Sequence, residues 1–434
     1  MKRELYPASI KAALMHSIDK VSSDVERCVR IPGKDFTRSR KLPLKTMLLM
    51  LIGIGGGSLA KELYDWFGYK TDTPTVSAFV QQRDKIKPEA LEMIFKEFVS
   101  TTVPQKRTNG FRLLAVDGSD LRLPANPTDE FSSIANHQDQ KRYNLVHLNA
   151  MYDLTSNTYV DIAMQGKKGM NEHKALVSMV DRSNITGKVL VLMDRGYESF
   201  NNMAHFQEKQ WNYIIRAKES YGIISRLPIP DEAEYDLEIT ITLTRQQTKE
   251  TLALLKAYPE RYRWIQPHTT FDYIDRKQSN MYDLHFRIVR FPISDGKYEI
   301  VYTNLDRDKY PKEKIKELYN LRWGIETSFR NLKYSIGLAS IHSKKTDSML
   351  QEVYSRLILY NYTSLITLKV EVPPNKQICF AIAVLVGKQY MKGIITTSRL
   401  LEILTKHLSP VRVGRKYKRY LNVISAVAFQ YRFA

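Results

Sequence analysis

The spacing of apolar residues predicts helices in the first quarter of the chain. Residues 44–67 carry long aliphatic runs, and residues 77–103 place apolar side chains at helical spacing, at Phe79, Ile86, Leu91, Ile94, Phe95 and Phe98. The turn-like stretch 68–74 separates these two segments. We therefore expect residues 1–108 to form a helical region.

The pattern changes after residue 110 to short apolar and β-branched runs that turn residues separate. These runs are FRLLAVDGSDLRL, YNLVHLNAMYDL, TYVDIAMQ, KVLVLMD and WNYIIRA. A helical pattern, NEHKALVSMVDRS, lies between the third and fourth runs, and residues 198–210 form another. Three strands, a helix, a strand, a helix and a strand is the order of an α/β fold.

The second half of the chain departs from this order and then returns to it. Residues 219–297 contain DLEITITLT and LHFRIVRFPI around a charged, aromatic-rich middle, which predicts a mainly β insertion. YEIVYTNL then predicts a return to the main sheet, and Pro311 and Gly337 predict the two ends of a long helix. The expected division is a helical N-terminal part, two parts of a core that flank the insertion, and a helical C-terminal part: 1–108, 109–218, 219–297, 298–345 and 346–434.

The charge of the chain adds a polyanionic partner to this picture. The 434 residues include 66 Lys and Arg against 46 Asp and Glu, a net charge of +20. Such an excess attracts nucleic acid, with a membrane surface as the weaker alternative. The two cysteines, Cys28 and Cys379, are far apart, which excludes a disulfide framework and a structural zinc site and fits a reducing cytoplasm. No segment has the apolar core of a signal peptide or a bilayer span, so neither export nor a membrane is expected.

Three acidic residues are candidates for chemistry because of where they lie. Asp117 ends the apolar run FRLLAV, Asp194 ends VLVLM, and Glu326 lies in the long predicted helix. Sites in open α/β sheets collect at strand ends, so two carboxylates that leave apolar strands can meet at one rim. Either Asp alone is equally well explained as a turn residue. The combination of all three carries the hypothesis.

The predicted helix separates a polar stripe from an apolar face. Tyr319, Arg322, Glu326, Arg330 and Lys333 share one side, and the apolar positions on another side are Leu318, Leu321, Ile325, Phe329, Leu332 and Ile336. A solvated face with an Arg322–Glu326 pair explains the charges. It explains less well why Tyr319 and Trp323 join them.

The polar stripe resembles the signature of a known family. The spacing Y-x2-R-x3-E-x6-K, formed by Tyr319, Arg322, Glu326 and Lys333, is similar to that of the insertion-sequence-four group of DDE transposases. Asp117 in AVDGSD matches a first Asp in a D-G-S or D-G-T context, and Asp194 in MDRGYES matches a second in D-R-G-Y. The resemblance covers residues 110–345, with a weaker part around SAFVQQRDKI. It implies a ribonuclease-H-like catalytic core with a β insertion between Asp194 and Glu326.

Phosphoryl transfer gives a physical reason for three carboxylates at one place. Two divalent ions can stabilise both the attacking and the leaving oxygen, and Mg2+ prefers carboxylate oxygens. We expect two Mg2+ ions, with Mn2+ as a substitute. The resemblance implies that Asp117 bridges them, while Asp194 and Glu326 each complete one site. Asp120 is the local competitor of Asp117, and the D-G-S match favours Asp117.

Several residues near these carboxylates are candidates for binding DNA. Arg322 and Lys333 suit phosphates on either side of the scissile one. Tyr319 suits a phosphate or a displaced base, or equally packing against the insertion. Arg195 and Tyr197 follow Asp194, and Arg195 could instead hold its loop. Trp323 borders the stripe, and packing is favoured over stacking on DNA.

Two further patterns complete the candidates. Arg412, Arg415, Lys416, Lys418 and Arg419 alternate with tyrosines in the C-terminal tail, which favours a patch that binds the DNA backbone over a solvated tail. GIGGGS at 53–58 lacks the G-K-[ST] ending of a phosphate loop, so we expect close helix packing and no NTP site. The histidines at 137, 147 and 173 show no metal-ligand spacing and are expected to be structural or surface residues.

These features together predict a prokaryotic cut-and-paste DDE transposase with residues 1–108 as a DNA-binding region. Its partners would be double-stranded DNA, both transposon ends and target DNA, and the family implies a homodimer on paired ends. We expect it in the cytoplasm, associated with the nucleoid. A metal-dependent nuclease without strand transfer and a catalytically silent, transposase-derived regulator are the alternatives.

Overall fold

Helices form the N-terminal part of the chain, as the apolar spacing predicts. The computed structural model describes residues 2–38, 40–102, 107–134, 142–219, 222–275, 280–294, 296–341 and 343–411. Its first helices are α1 Lys2–Ser23, α2 Val25–Cys28, α3 Leu44–Gly53, α4 Leu59–Phe67, α5 Val76–Arg83 and α6 Pro88–Thr102. The basic tail residues Arg412, Arg415, Lys416, Lys418 and Arg419, and the histidine at 137, lie outside the described residues.

A mixed sheet follows, and its first half has the strand and helix order that the sequence predicts. The elements are β1 Arg112–Leu123, β2 Ser133–Ile134, β3 Tyr143–Asp153, β4 Thr158–Gly166, α7 Glu172–Asp181, β5 Val189–Met193, α8 Phe200–Glu208 and β6 Asn212–Arg216. β3 pairs antiparallel with both β1 and β4, whereas β5 runs parallel to β1 and to β6. The order β4-β3-β1-β5-β6 is the ribonuclease-H-like core.

The insertion continues this same sheet. Its elements are β7 Tyr235–Thr244, α9 Lys249–Ala257, β8 Tyr262–Trp264 and β9 Tyr282–Ser294, followed by β10 Lys297–Thr303. β10 pairs antiparallel with β6, as expected for a return to the main sheet, and also with β9. β9 in turn pairs with β7, so the insertion lengthens the sheet along one edge.

The long helix expected between Pro311 and Gly337 is divided into three pieces. They are α10 Lys312–Asn320, α11 Trp323–Arg330 and a π-helical turn, Asn331–Ser335. At the first junction the amides of residues 321, 322, 324 and 325 bond three residues back, at 3.0–3.1 Å, where an α-helix bonds four back. This tighter turn rotates the helix faces. Leu321, expected on the apolar face, is consequently 42 % exposed, whereas Arg322 is buried.

Helices from the two ends of the chain share one hydrophobic core. The last elements are α12 Thr346–Thr367, β11 Lys376–Ile378, α13 Phe380–Met391, α14 Thr397–Lys406 and β12 Leu408–Pro410. Buried residues of α1, α3, α6, α12 and α13 form one cluster with one face of β1, β3 and β4. Arg83 and Glu352, both almost fully buried, form an ion pair between α5 and α12 at 3.1 Å. The two ends are therefore packed together against the sheet.

Within the described ranges, none of the helices combines the length and the apolar character that a bilayer crossing requires.

Candidate active site

Strand pairing brings Asp117 and Asp194 to the same edge and face of the sheet. Val116 of β1 and Met193 of β5 are paired in parallel register, so each Asp is the next residue beyond that pair. Alternation along the strands gives both the same face, because Leu113 and Leu190, which share their parity, pack in one cluster beneath α10. β1 continues past Asp117 to Leu123, whereas β5 ends before Asp194.

Glu326 reaches this face from a helix. α11 packs on β1, and Ile325 of α11 is buried beside the sheet while Glu326 is half-buried. The pKa of Asp117 responds to both Asp194 and Glu326, which places all three carboxylates within electrostatic reach. No three His, Cys, Asp or Glu side chains in the described part converge as tightly as a metal site requires. Asp117, Asp194 and Glu326 therefore interact electrostatically without forming a closed set of ligands in this structure.

Asp117 is the most perturbed of the three carboxylates. Its pKa is raised to about 6, chiefly by burial and also by repulsion from Asp194 and Glu326, while the Gly118 amide and Arg322 oppose these effects. The Gly118 amide donates to Asp117 Oδ1 at 2.8 Å. Asp194 Oδ1 similarly accepts from the Gly196 amide at 2.8 Å. Backbone amides thus orient both aspartates.

Arg322 holds Glu326 from inside the fold. Its Nη2 lies 3.0 Å from Glu326 Oε1, and only 6 % of the residue is exposed. The guanidinium also lies over the rings of Tyr319 and Trp323, with 5.7 and 5.0 Å between its carbon and the ring centroids. The signature arginine is therefore a buried partner of the signature glutamate.

The two aromatic residues of the helix have opposite environments. Tyr319 is 3 % exposed and packs with Leu318 and with Val289 of β9, which agrees with packing against the insertion and leaves no ring face for a base. Trp323 is 54 % exposed, so the packing interpretation favoured for it is wrong. It lies three residues before Glu326 in the same helix.

The other candidates near the carboxylates differ in accessibility. Lys333 donates from Nζ to the backbone oxygen of Asp120 at 2.9 Å, which ties the π-helical turn to β1, and burial lowers its pKa. Arg195 is exposed beside Asp194. Tyr197 is 1 % exposed, so the expectation that it contacts DNA is wrong for this conformation. A 3-10 turn, Arg195–Tyr197, follows Asp194 and directs Tyr197 into the core beside α7 and α8.

A charged network beside Asp117 was not expected from the sequence. His147 Nδ1 lies 2.7 Å from Asp120 Oδ1, and its Nε2 lies 2.9 Å from Glu172 Oε1. These two carboxylates raise the pKa of His147 to about 9 against the opposing effect of burial, so the imidazole is a cation at neutral pH. Asp120, the competitor of Asp117, therefore belongs to this network.

The network explains the glycine of the D-G-S motif in this chain. A Cβ at position 118 would overlap His147 Nε2 and would lie 2.6 Å from Glu172 Oε1. The pairing of β1 with β3 places Asp120 directly opposite His147. No sequence pattern gives that register, so His147 could not be identified in advance. His173 is structural, as expected, with its Nδ1 2.8 Å from Asn202 Nδ2.

Two glycines of GIGGGS, Gly55 and Gly57, lie against other groups of the protein. The Gly55 carbonyl accepts from Arg356 Nη2 at 2.7 Å, and a Cβ on Gly55 would lie 2.7 Å from Glu62 Oε1. The Gly57 amide donates to the same Glu62 oxygen at 3.1 Å. The loop is therefore closed by protein groups.

The chemistry of the carboxylates fits divalent cations. Asp117, Asp194 and Glu326 offer the oxygen donors that Mg2+ and Mn2+ prefer. Burial, together with the charges of Asp194 and Glu326, disfavours the ionised form of Asp117 and raises its pKa, and a bound cation would offset this effect. Asp117, Asp194 and Glu326 are thus suited to hold such ions.

Comparison with known proteins agrees with this geometry. Residues 108–362 match the family described as Transposase DDE domain. The chain is 22 % identical over 357 residues to the transposase InsG of insertion sequence element IS4 from Escherichia coli K12, covering 78 % of this chain and 72 % of that protein.

A solved structure is also similar: the piggyBac transposase synaptic complex with hairpin DNA, at 10 % identity and a TM-score of 0.44, covering 91 % of this chain and 81 % of that one. The family and the E. coli relative support neither a nuclease without strand transfer nor a silent regulator. The chain therefore belongs to the transposase DDE domain family and is a DDE transposase of the insertion-sequence-four group, a DNA-cleaving and strand-transferring enzyme that binds DNA and uses divalent metal ions.

Proposed function

We propose that this transposase cleaves at the terminal inverted repeats of its own element and joins the released 3′ hydroxyls to target DNA, by cut-and-paste transposition. The observation that carries the proposal is the pairing of Val116 with Met193, which brings Asp117 and Asp194 to one edge beneath the helix that bears Glu326. Strand cleavage and strand transfer are both in-line displacements at phosphorus, so one set of carboxylates serves both.

Two Mg2+ ions, for which Mn2+ can substitute, are the cofactors of this proposal. Asp117, Asp194 and Glu326 would hold them, with Asp117 shared between the two ions and Asp194 and Glu326 each completing one site. When bound, the ions stabilise the attacking and leaving oxygens of the displacement. Gly118 and Gly196 orient the two aspartates through their backbone amides, and Arg322 holds Glu326 at the edge of the site. Each ligand thus has its own positioning group.

DNA contacts are assigned by exposure. Arg195, next to Asp194, and Trp323, three residues before Glu326, are both exposed, which suits a phosphate for the first and a base for the second. Lys333, although anchored to β1, lies beside them and suits a phosphate near the scissile one. We assign Arg322 and Tyr319 to positioning Glu326. The basic tail, with Arg412, Arg415, Lys416, Lys418 and Arg419, and the N-terminal region 1–108 supply further backbone contacts.

The net charge of +20 gives this DNA-binding proposal a quantitative test. Each neutralised phosphate contributes about −0.9 to the slope of log K against log salt concentration. Affinity for a transposon-end duplex should therefore fall steeply as salt rises. Neutralising the five basic residues of 412–419 should reduce that slope, and a flat salt response in the wild type would remove the electrostatic basis of the proposal.

The family resemblance implies a homodimer, and we propose that this homodimer forms on paired transposon ends. Sedimentation with and without a duplex carrying the flanking inverted repeat tests this assembly. If sedimentation finds only a complex of one chain with one duplex, the proposed homodimer on paired ends is contradicted.

The central experiment replaces each carboxylate by its amide. Asp117→Asn, Asp194→Asn and Glu326→Gln keep side-chain shape but remove one anionic ligand each. End cleavage in Mg2+ should fall by orders of magnitude, while end binding is largely retained. Glu250→Gln is the control, because Glu250 lies on α9 in the insertion and is exposed. Wild-type cleavage by any one amide variant would remove that residue from the site.

A further inference from the structure

We propose that Glu172 is a fourth carboxylate of the catalytic centre, held in place by His147. The inference rests on the proposed function of Asp117, Asp194 and Glu326 as metal ligands. It concerns a residue outside the family signature, and four observations carry it.

The first observation is the position of the Glu172 carboxylate. A Cβ on Gly196 would lie 3.0 Å from Asp194 Oδ1 and 3.6 Å from Glu172 Oε2. The second oxygen of Glu172 and the first oxygen of Asp194 therefore face the same side of the Gly196 backbone. Glu172 begins α7, whose N-terminus Asn171 caps with a hydrogen bond to the Lys174 amide at 3.0 Å, so the carboxylate starts from a fixed backbone.

The second observation is that His147 contacts one of the two oxygens of the Glu172 carboxylate. His147 Nε2 engages Glu172 Oε1 at 2.9 Å, which leaves Oε2 directed toward Gly196. Asp120 holds the opposite nitrogen of the ring at 2.7 Å and thereby fixes the ring plane. Histidine and carboxylate pairs of this kind orient ligands around metal centres.

The third observation is a buried hydroxyl in the same place. Tyr197 is 1 % exposed, and its hydroxyl has no hydrogen-bond partner among the residues that the structure describes. Its pKa lies well above the ordinary value because of burial and then the charges of Glu172, Asp117 and Asp194, in that order. An unpartnered buried phenol among three carboxylates points to a polar occupant of the space between them, such as a cation with its water.

The fourth observation is the lack of room for a side chain at two positions of the backbone. Positions 118 and 196 are both glycine, and a Cβ at either would press on a carboxylate or imidazole of this group. The chain thus has no side chain at two positions that adjoin Asp117, Asp194 and Glu172. The two glycines therefore make room for the Glu172 carboxylate, which lies close to the backbone at both positions.

The chain contains a matched control for this geometry. His205 lies between Asp181 Oδ1 and Asp272 Oδ2, each 2.9 Å from a ring nitrogen, and its side chain is 8 % exposed against 7 % for His147. The two histidines are therefore alike in burial and in having a carboxylate at each ring nitrogen. Only the first is next to Asp117 and Asp194.

The experiment measures Mn2+ binding to the metal-free, DNA-free full-length chain by electron paramagnetic resonance of the free ion. Glu172→Gln keeps the shape of the side chain, and we expect a loss of about tenfold in Mn2+ affinity, with a loss of 10-fold to 100-fold in end cleavage. His147→Gln should lower Mn2+ affinity in the same direction. His205→Gln and Asp272→Asn should leave Mn2+ affinity unchanged.

The outcomes separate this inference from the proposed function. If Asp117→Asn keeps wild-type Mn2+ affinity, the proposed function fails. If Asp117→Asn loses Mn2+ while Glu172→Gln binds it like the wild type, the fourth carboxylate alone is overturned. An equal loss in the His205→Gln control would assign the effect to general stability and also overturn it. Should Glu172→Gln not fold, Glu172→Asp keeps the charge and shortens its reach, and wild-type Mn2+ affinity there would overturn the inference.

Discussion

Arg322 and Glu326 form an ion pair across one helical turn, with 3.0 Å between Nη2 and Oε1, in which the cation is buried and the anion faces the catalytic edge. Within one turn of helix, the arrangement aims the carboxylate toward Asp117 and Asp194. It also lowers the pKa of Asp117, on which Arg322 acts directly. The signature spacing of the two residues thus sets both the position of one carboxylate and the charge state of another.

Arg322→Ala should therefore damage cleavage more than DNA binding. The substitution leaves Glu326 without its partner and opens a buried space, which should cost about 2 kcal/mol or more of unfolding free energy. Loss of the positive charge should also move the acid limb of the cleavage pH profile to higher pH, since the pKa of Asp117 rises. Single-turnover cleavage across pH and gel-shift affinity measure the two effects.

Arg330→Ala is the matched control for that prediction, because Arg330 is exposed on the same helix. Arg322→Lys keeps the charge without the planar guanidinium and should recover only part of the rate. Equal losses in Arg330→Ala and Arg322→Ala would mean that the helix carries a general basic face.

Gly118→Ala should break the link between His147 and Glu172. The added Cβ would overlap His147 Nε2 and lie 2.6 Å from Glu172 Oε1, so one of the two side chains has to move. We expect a destabilisation of about 1–3 kcal/mol from overpacking and a strong loss of end cleavage. Urea unfolding and single-turnover cleavage measure these quantities.

Gly56→Ala provides the comparison, because a Cβ there meets nothing within 4 Å. It should change neither unfolding free energy nor cleavage by a comparable amount. A Gly118→Ala variant with the wild-type cleavage rate would show that the His147 link does not matter to the chemistry.

Periodicity and motif spacing were sufficient to predict the strands of the core and the three carboxylates, for different physical reasons. The run before Asp117 is apolar because β1 is buried on both faces. A continuous apolar run of this kind can be recognised from a single sequence. His147 was missed because its role depends on the register between β1 and β3, which distant parts of the chain determine. The same limit applies to Tyr197, whose burial depends on how α7 and α8 pack.

The environment of Leu321 was predicted wrongly because helical arithmetic assumes an unbroken α-helix, whereas for Trp323 the arithmetic gave the border of the polar stripe and only the preference for packing was wrong. The tight turn at residues 321–325 and the π-helical turn at 331–335 each change the number of residues per turn, so faces drift from their expected positions. Both irregularities flank Glu326. The departure from ideal helix geometry thus lies where the site is, as expected when function overrides local regularity.

His147 should stabilise the metal-free fold most at low pH. Its pKa is about 9 in the folded chain, above the ordinary value of 6.5, because Asp120 and Glu172 favour the charged ring. The stabilisation is therefore complete below about pH 6.5 and disappears as pH rises through about 9. The difference in unfolding free energy between the wild type and His147→Gln should shrink over that range in the presence of EDTA.

A difference that stays constant from pH 6 to pH 10 would show that His147 contributes packing and hydrogen bonds without this electrostatic part. Asp120→Asn, introduced into both the wild type and His147→Gln, tests whether the neighbouring carboxylates cause this pH dependence. The substitution removes one of the two negative charges beside His147. It should make the pH dependence shallower.

Asp117→Asn should stabilise the metal-free protein while it abolishes cleavage. The pKa of Asp117 is about 6, above its ordinary value of 3.8, so the fold disfavours the charged carboxylate. A raised carboxyl pKa means that the folded state binds the proton more tightly than the unfolded state, and stability is lost as pH rises from about 4 to 6. At pH 8 the amide removes this penalty, which is at most about 3 kcal/mol.

Thermal unfolding in EDTA should therefore show a higher melting temperature for Asp117→Asn at pH 8 and nearly equal values at pH 4. Excess Mg2+ should reverse the order at pH 8, because only the wild type gains ligand binding energy from the ion. If the Asp117→Asn variant is less stable than the wild type at pH 8 without metal, the negative charge of Asp117 does not destabilise the metal-free fold. That result would contradict the assignment of Asp117 as a carboxylate whose charge a metal ion compensates.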